Sequence, residues 1–269
     1  MTAFLESGSV PTVGSQFMKW IRISEPIGRG FNLKRKIYHM AGLLVPVMLY
    51  GDVFRFLADD PFITRKVLIG LLIAANIALI VMETLRMKHR GFRDLFHRLF
   101  GSLMKESERD RIHGTVAYMI SNLVLVLFFS DEVVVLSLTF LVLADPLAAF
   151  VGIYYGRLRF WNGKSVEGML AFVAGSFLSG IVFYLIQDAL NRGNLPFVLE
   201  SGSIGVVLAI LGFAAVVAAL AEFFSFTALN GVVDDNLIVP LAAAAAFVIA
   251  ALSLGFLPAT VFFDLNWML

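Results

Sequence analysis

The chain has no cysteine. Disulfides, thiolate metal sites and a cysteine nucleophile are therefore excluded. Charge is also scarce: 15% of the 269 residues are Asp, Glu, Lys or Arg, 59% are hydrophobic, and the mean hydropathy is +0.86. Soluble domains carry about 25% charged and about 45–50% apolar residues. A chain this apolar cannot cover its surface with polar groups, and lipid must be the solvent for most of it. Residues 1–30 lack the apolar run of a signal peptide and carry Glu6, Lys19, Arg22, Glu25 and Arg29. No internal repeat and no soluble domain is visible. The net charge of +1 is uninformative as a total, and no nucleic-acid partner is expected. The oligomeric state is left open.

What the chain does contain is a series of long apolar runs. A hydrocarbon core about 30 Å thick takes about 20 apolar residues per helix. Runs of that kind lie near residues 37–57, 67–85, 114–130, 133–152, 167–187, 204–224 and 236–255. The expected fold is all-α, a polytopic transmembrane bundle of about seven spans. Residues 31–269 form one membrane catalytic domain, and residues 1–30 form a tail. Within that tail, Phe17 to Ile23 reads either as a short interfacial helix or as disordered chain. Pro46 and Gly51 break the first span.

Lys and Arg near span ends set orientation. Arg29, Lys34, Arg35 and Lys36 precede span one. Eight basic residues from Arg86 to Arg111 lie between spans two and three, and Arg157, Arg159 and Lys164 between spans four and five. With simple alternation all three groups share one side, which places them and the N-terminus in the cytoplasm. The expected location is a multi-pass protein of a prokaryotic inner membrane. Phe92, Leu95, Phe96, Leu99, Phe100 and Leu103 repeat at spacings of three and four, which predicts an amphipathic helix lying on the membrane.

Ionisable residues inside a membrane are costly and point to function. His39, Glu83, Asp145 and Glu222 all fall toward the basic end of their spans, Asp145 about two turns in. Any one of them alone is equally a helix-end or snorkelling residue. Gly163-Lys164-Ser165-Val-Glu167-Gly168 enters span five; a Gly-rich turn before a helix N-terminus offers backbone N–H groups to phosphate. It lacks the strand and spacing of a Walker A loop. Asp234-Asp235-Asn236 enters span seven and suits either magnesium or a helix cap. Small residues at Ala148, Ala149, Gly152 and Gly156 face a similar series at Gly168, Ala171, Gly175 and Ser179. Their spacing predicts close packing of spans four and five, which would bring Asp145 near Lys164 and Glu167. The residues alone lead to a membrane site for a nucleotide or a phosphorylated lipid.

Four blocks in this order resemble the CTP-dependent lipid kinases, the family of dolichol kinase, phytol kinase and the CTP-using diacylglycerol kinase. They are Lys34-Arg35-Lys36 through His39 to Gly42; Lys105-Glu106-Ser-Glu108 with Gly114 and Tyr118; Ala144-Asp145-Pro146 through Gly152 and Gly156 to Gly163-Lys164-Ser165-Val-Glu167-Gly168; and Glu222 with Asp234-Asp235-Asn236-Leu237 and Pro240. The resemblance spans residues 32–245. Ala144 stands where the family usually has Gly, and Asn32 where an acidic residue is common. The resemblance implies transfer of the γ-phosphate of CTP to a polyprenol, dolichol, phytol or diacylglycerol hydroxyl, with Mg²⁺. It implies Asp145, Asp234 and Asp235 as metal ligands. Lys34, Arg35, Lys36, Gly163, Lys164, Ser165 and Asn236 would hold the nucleotide phosphates. Glu167, Glu222 or His39 would orient the hydroxyl or take its proton. A phosphatidate cytidylyltransferase using the same CTP site and a transporter are the competing readings.

Overall fold

The computed structural model describes residues 21–25, 27, 31–104, 108–190 and 203–268. The chain is an all-α membrane bundle. Its helices are α1 (Leu33–Met40), α2 (Leu44–Tyr50), α3 (Ile63–Lys88), α4 (Arg90–Phe100), α5 (Gly114–Phe128), α6 (Asp131–Tyr154), α7 (Val166–Ala189), α8 (Ile204–Phe223), α9 (Asp235–Ser253) and the short α10 (Pro258–Val261). Five of them, α3, α6, α7, α8 and α9, are long and apolar enough to cross a membrane. The 15-residue α5 is shorter. The first expected span is two pieces, α1 and α2, joined by a 3-10 turn at Ala41–Leu43. It stops at Tyr50 and not at residue 57, because Gly51 is followed by Asp52 in the left-handed region (φ 48°), which an α-helix cannot include.

α6 is the central helix. Its apolar window is 61% buried, against 28% for α3 and α7. The outer helices therefore keep large apolar side chains on the surface, such as Ile73, Ile77 and Ile80 on α3 and Leu170, Leu178 and Leu185 on α7. An apolar belt of this kind suits hydrocarbon and not water. α8 packs on α9 through Ala214, Ala215, Ala218 and Ala219 on one side and Ala243 and Ala244 on the other, all buried. Small residues let backbones approach where no hydrophobic effect drives association. The same rule holds α6 to α7. A Cβ on Gly168 would sit 2.9 Å from the Ala148 carbonyl, and one on Gly175 would sit 3.3 Å from Ala144 Cβ. Ala144 is thus accommodated by the glycine opposite it.

Arg90–Phe100 is the expected amphipathic helix, with Phe96 buried and Leu95 and Leu99 exposed. The candidate interfacial helix at 17–23 is not found where it can be seen. Ile21–Ile23 is extended and pairs antiparallel with Leu158–Phe160, forming a two-stranded ribbon (β1 and β2); residues 17–20 lie outside the described residues. Lys105 to Ser107 lie outside them too.

Candidate active site

The site lies at the bundle end where α5, α7 and α9 begin and α3, α6 and α8 finish. Asp145 is set by an irregularity in α6. Phe140–Ala144 is a π-helical segment, and Asp145 and Pro146 follow it. Pro146 has no N–H to give to the preceding turn, and its ring crowds the carbonyl four residues back. The wider π turn relieves that conflict, and such bulges frequently mark functional positions. Asp145 Oδ2 receives the Lys36 Nζ at 2.6 Å and has His39 Nε2 at 3.8 Å. The Lys36 and Asp145 side chains are 13% and 19% exposed, dry enough for the pair to matter and open enough to reach a ligand. α1 presents Lys36 and His39 from successive turns because Asn32 caps it, accepting from the Arg35 N–H and donating to Ser102 O. Asn caps as well as Asp does, so Asn32 serves where the family has an acid.

The second group joins α7 and α8. Lys164 Nζ donates to Glu222 Oε1 at 2.7 Å, to Ser225 Oγ at 3.0 Å and to the Glu222 carbonyl. Lys164 therefore caps the α8 C-terminus, where the helix dipole favours a cation. Gly163 takes φ +80° to turn the loop, and Ser165 Oγ accepts from the Gly168 N–H at 3.1 Å, capping α7. Glu222 lies within electrostatic reach of both Asp145 and Asp235.

The third group is the α9 N-terminus. Asp234 caps it, accepting from the Asn236 N–H at 2.9 Å, and the Asn236 amide donates to Asp234 Oδ2 at 3.0 Å. The start of α5 is pressed against this turn. A Cβ on Gly114 would lie 2.6 Å from Asn236 Nδ2, 2.9 Å from Asp234 Oδ2 and 3.2 Å from Glu108 Oε1, so any larger residue there must displace these polar side chains. His113 Nε2 is 3.7 Å from Glu108 Oε2, and its Nδ1 lies 2.8 Å from Thr115 Oγ1. Burial pushes the His113 pKa below the ordinary histidine value, with Glu108 pulling the other way. Between α1 and the starts of α5 and α9 is a cavity of about 140 Å³, with Arg35, His39, Glu108, His113 and Asn236 among its walls.

The CTP-dependent diacylglycerol kinase 1 of Schizosaccharomyces pombe is 30% identical over 172 residues, covering 60% of this chain and 71% of that protein. The chain belongs to the CTP-dependent lipid kinase family. The Saccharomyces cerevisiae CTP-dependent diacylglycerol kinase 1 is 27% identical over 219 residues, 77% of this chain and 69% of the yeast protein. An uncharacterised protein of Rickettsia prowazekii is 26% identical over 216 residues, 78% of this chain and 90% of that one. No family model matches the chain, and no solved structure matches it significantly.

Within this lipid kinase homologue the fold brings together Lys36, His39 and Asp145, with Glu222 and Asp235 in electrostatic reach. The structure gives the expected site residues partners of their own. Asp145 pairs with Lys36, while Lys164 turns to Glu222 and the end of α8. Glu167 holds the loop, accepting from the Arg157 and Leu158 N–H groups. Glu83 is bound to Arg86, which also donates to the Arg109 and Arg111 carbonyls, and it accepts from the His113 N–H as well. It is a structural clasp for the loop into α5. Lys34 stays exposed beside the site. The residues that the sequence reading passed over are His113 and Tyr38. Each is a polar ring at the basic end of an apolar run, the same signal that pointed to His39.

Proposed function

We propose that the protein transfers the γ-phosphate of CTP to the hydroxyl of a membrane lipid alcohol at the cytoplasmic face, with diacylglycerol the favoured acceptor. The observation that carries this reading is the Lys36–Asp145 pair, joined through His39 to a cavity that Arg35, Glu108, His113 and Asn236 also line, in a chain whose named relatives are CTP-dependent diacylglycerol kinases. Phosphoryl transfer needs positioning and charge neutralisation more than covalent help from the protein. Arg35 and Lys36 supply fixed cations for a triphosphate. Asn236 supplies an amide at the cavity wall.

The donor set fits Mg²⁺. Asp145, Asp234 and Asp235 are hard oxygen ligands. Among the described residues no three acidic or histidine side chains form a ready cage. Magnesium is commonly held by one or two carboxylates, with substrate phosphate and water completing the shell. Bound there, it would neutralise phosphate charge. The lipid hydroxyl oxygen forms the new bond to the γ-phosphorus, the bond to the bridging oxygen breaks, and CDP leaves. The hydroxyl proton passes to a neighbouring base, for which His39, 3.8 Å from Asp145, and Glu222 are the candidates.

The test uses purified protein with γ-labelled CTP, Mg²⁺ and a panel of diacylglycerol, polyprenol, dolichol and phytol. Label in the lipid fraction supports the kinase, and the labelled acceptor names the substrate. Incorporation from α-labelled CTP into phosphatidate, with none from the γ-position, would instead establish a cytidylyltransferase. Neither transfer would remove the enzyme reading.

A further inference from the structure

A second cavity, of about 210 Å³, lies between α3, α4 and α5. Leu79 and Met82 of α3, Phe96 and Phe100 of α4, Leu103 and Val116 give it an apolar lining. It shares one wall with the cavity lined by Arg35, His39 and Asn236. Tyr38, Leu103, His113 and Thr115 belong to both, and the Tyr38 hydroxyl and Thr115 Oγ1 are 3.3 Å apart across that wall. Tyr38 and Phe100 at its rim each remain 44% exposed, so the cavity communicates with the outside of the bundle. The walls it reaches out to carry exposed Ile80 and Leu99, the surfaces that face hydrocarbon.

An acceptor alcohol poses a geometric problem. Its chains must stay in an apolar medium while its hydroxyl reaches the phosphates. A space that is apolar at one end and abuts the nucleotide cavity at the other answers it. We propose that this cavity receives the acceptor lipid, with the hydroxyl end against the Tyr38, His113 and Thr115 wall. The inference rests on reading the chain as a lipid alcohol kinase. An apolar cavity of about 150 Å³ takes a benzene-sized group. This one holds the first carbons of a chain, and the rest of the lipid stays in the bilayer. The pocket grips the headgroup end and leaves chain length unread.

The test is photolabelling of the full-length protein in vesicles. The probe is a diacylglycerol carrying a diazirine on the acyl carbons next to the ester, irradiated without nucleotide. Adducts on the Leu79–Met82 or Phe96–Phe100 peptides are expected. Adducts confined to α7 and α8 would overturn the pocket. Turnover of γ-labelled CTP is measured on the same vesicles. Turnover with labelling elsewhere removes the pocket and leaves the kinase reading standing. Labelling here without turnover upholds the pocket and removes the kinase reading. In the active enzyme, Leu79→Trp should raise KM for diacylglycerol about tenfold with KM for CTP unchanged. A parallel rise in both would count against a separate acceptor pocket.

Discussion

Lys36 Nζ and Asp145 Oδ2 are 2.6 Å apart although 109 residues separate them in the chain. The contact clamps the basic helix α1 against the π segment of α6, at a depth where water is scarce. It places one cation and one carboxylate next to His39, which lines the cavity.

If that pair serves phosphate and metal, then Asp145→Asn should lower kcat by more than about 100-fold, an effect of roughly 3 kcal/mol or more on the barrier. The fold should survive it, since the amide keeps the shape. Circular dichroism and melting in detergent, run beside the labelled-CTP assay, separate the two. The charge swap Lys36→Asp with Asp145→Lys should restore stability without restoring turnover. Recovered activity in the swap would make the pair purely structural.

Gly114→Ala should cost about 1–3 kcal/mol, because its Cβ would fall 2.6 Å from Asn236 Nδ2. The Asn236 and Asp234 side chains must then shift. KM for CTP should rise more than KM for the lipid, since Asn236 lines the same cavity as His39. An unchanged nucleotide KM would argue against a role of the α9 turn in CTP binding.

The Glu83–Arg86 clasp makes the opposite prediction. Arg86 is 1% exposed and its guanidinium reaches Glu83 and two loop carbonyls. Removing one partner of a buried pair costs about 3–5 kcal/mol. Glu83→Gln and Arg86→Met should both melt early while keeping the turnover of whatever fraction stays folded. Arg86→Lys should not rescue, because a point charge cannot span three acceptors.

Lys164 and Glu222 are best read by a double-mutant cycle. Lys164→Met leaves the Glu222 carboxylate and the α8 end without their cation. Lys164→Met with Glu222→Leu should be more stable than Lys164→Met alone. Turnover in the double variant decides whether the pair does more than cap α8: full activity would remove both from the catalytic set.

Asp145, Lys36 and His39 were readable because a membrane makes each ionisable residue conspicuous against an apolar run. The pairing was not. The small-residue stripes of α6 and α7 were correctly read as a packing face, and Gly168 against Ala148 bears that out. Close backbones do not fix where a flexible lysine goes, however, and Lys164 turned to the unsatisfied carbonyl end of α8. Glu83 looked like a site residue because a partner three residues away on the same helix is hard to distinguish from solvent-facing charge until its burial is known. His113 went unread because it precedes its apolar run by one residue.

The sequence by itself determined that the chain lives in lipid, that its helices carry the polar groups at one end, and which family it resembles. These follow from composition and local spacing, since hydrocarbon penalises every misplaced charge. Only the tertiary structure decided that α1 supplies a partner of Asp145, that α5 and α9 meet over a glycine, and that the cavity between α3, α4 and α5 backs onto the one lined by Arg35, His39 and Asn236. Those are contacts between segments distant in sequence. They depend on where packing leaves room, and local patterns do not encode that.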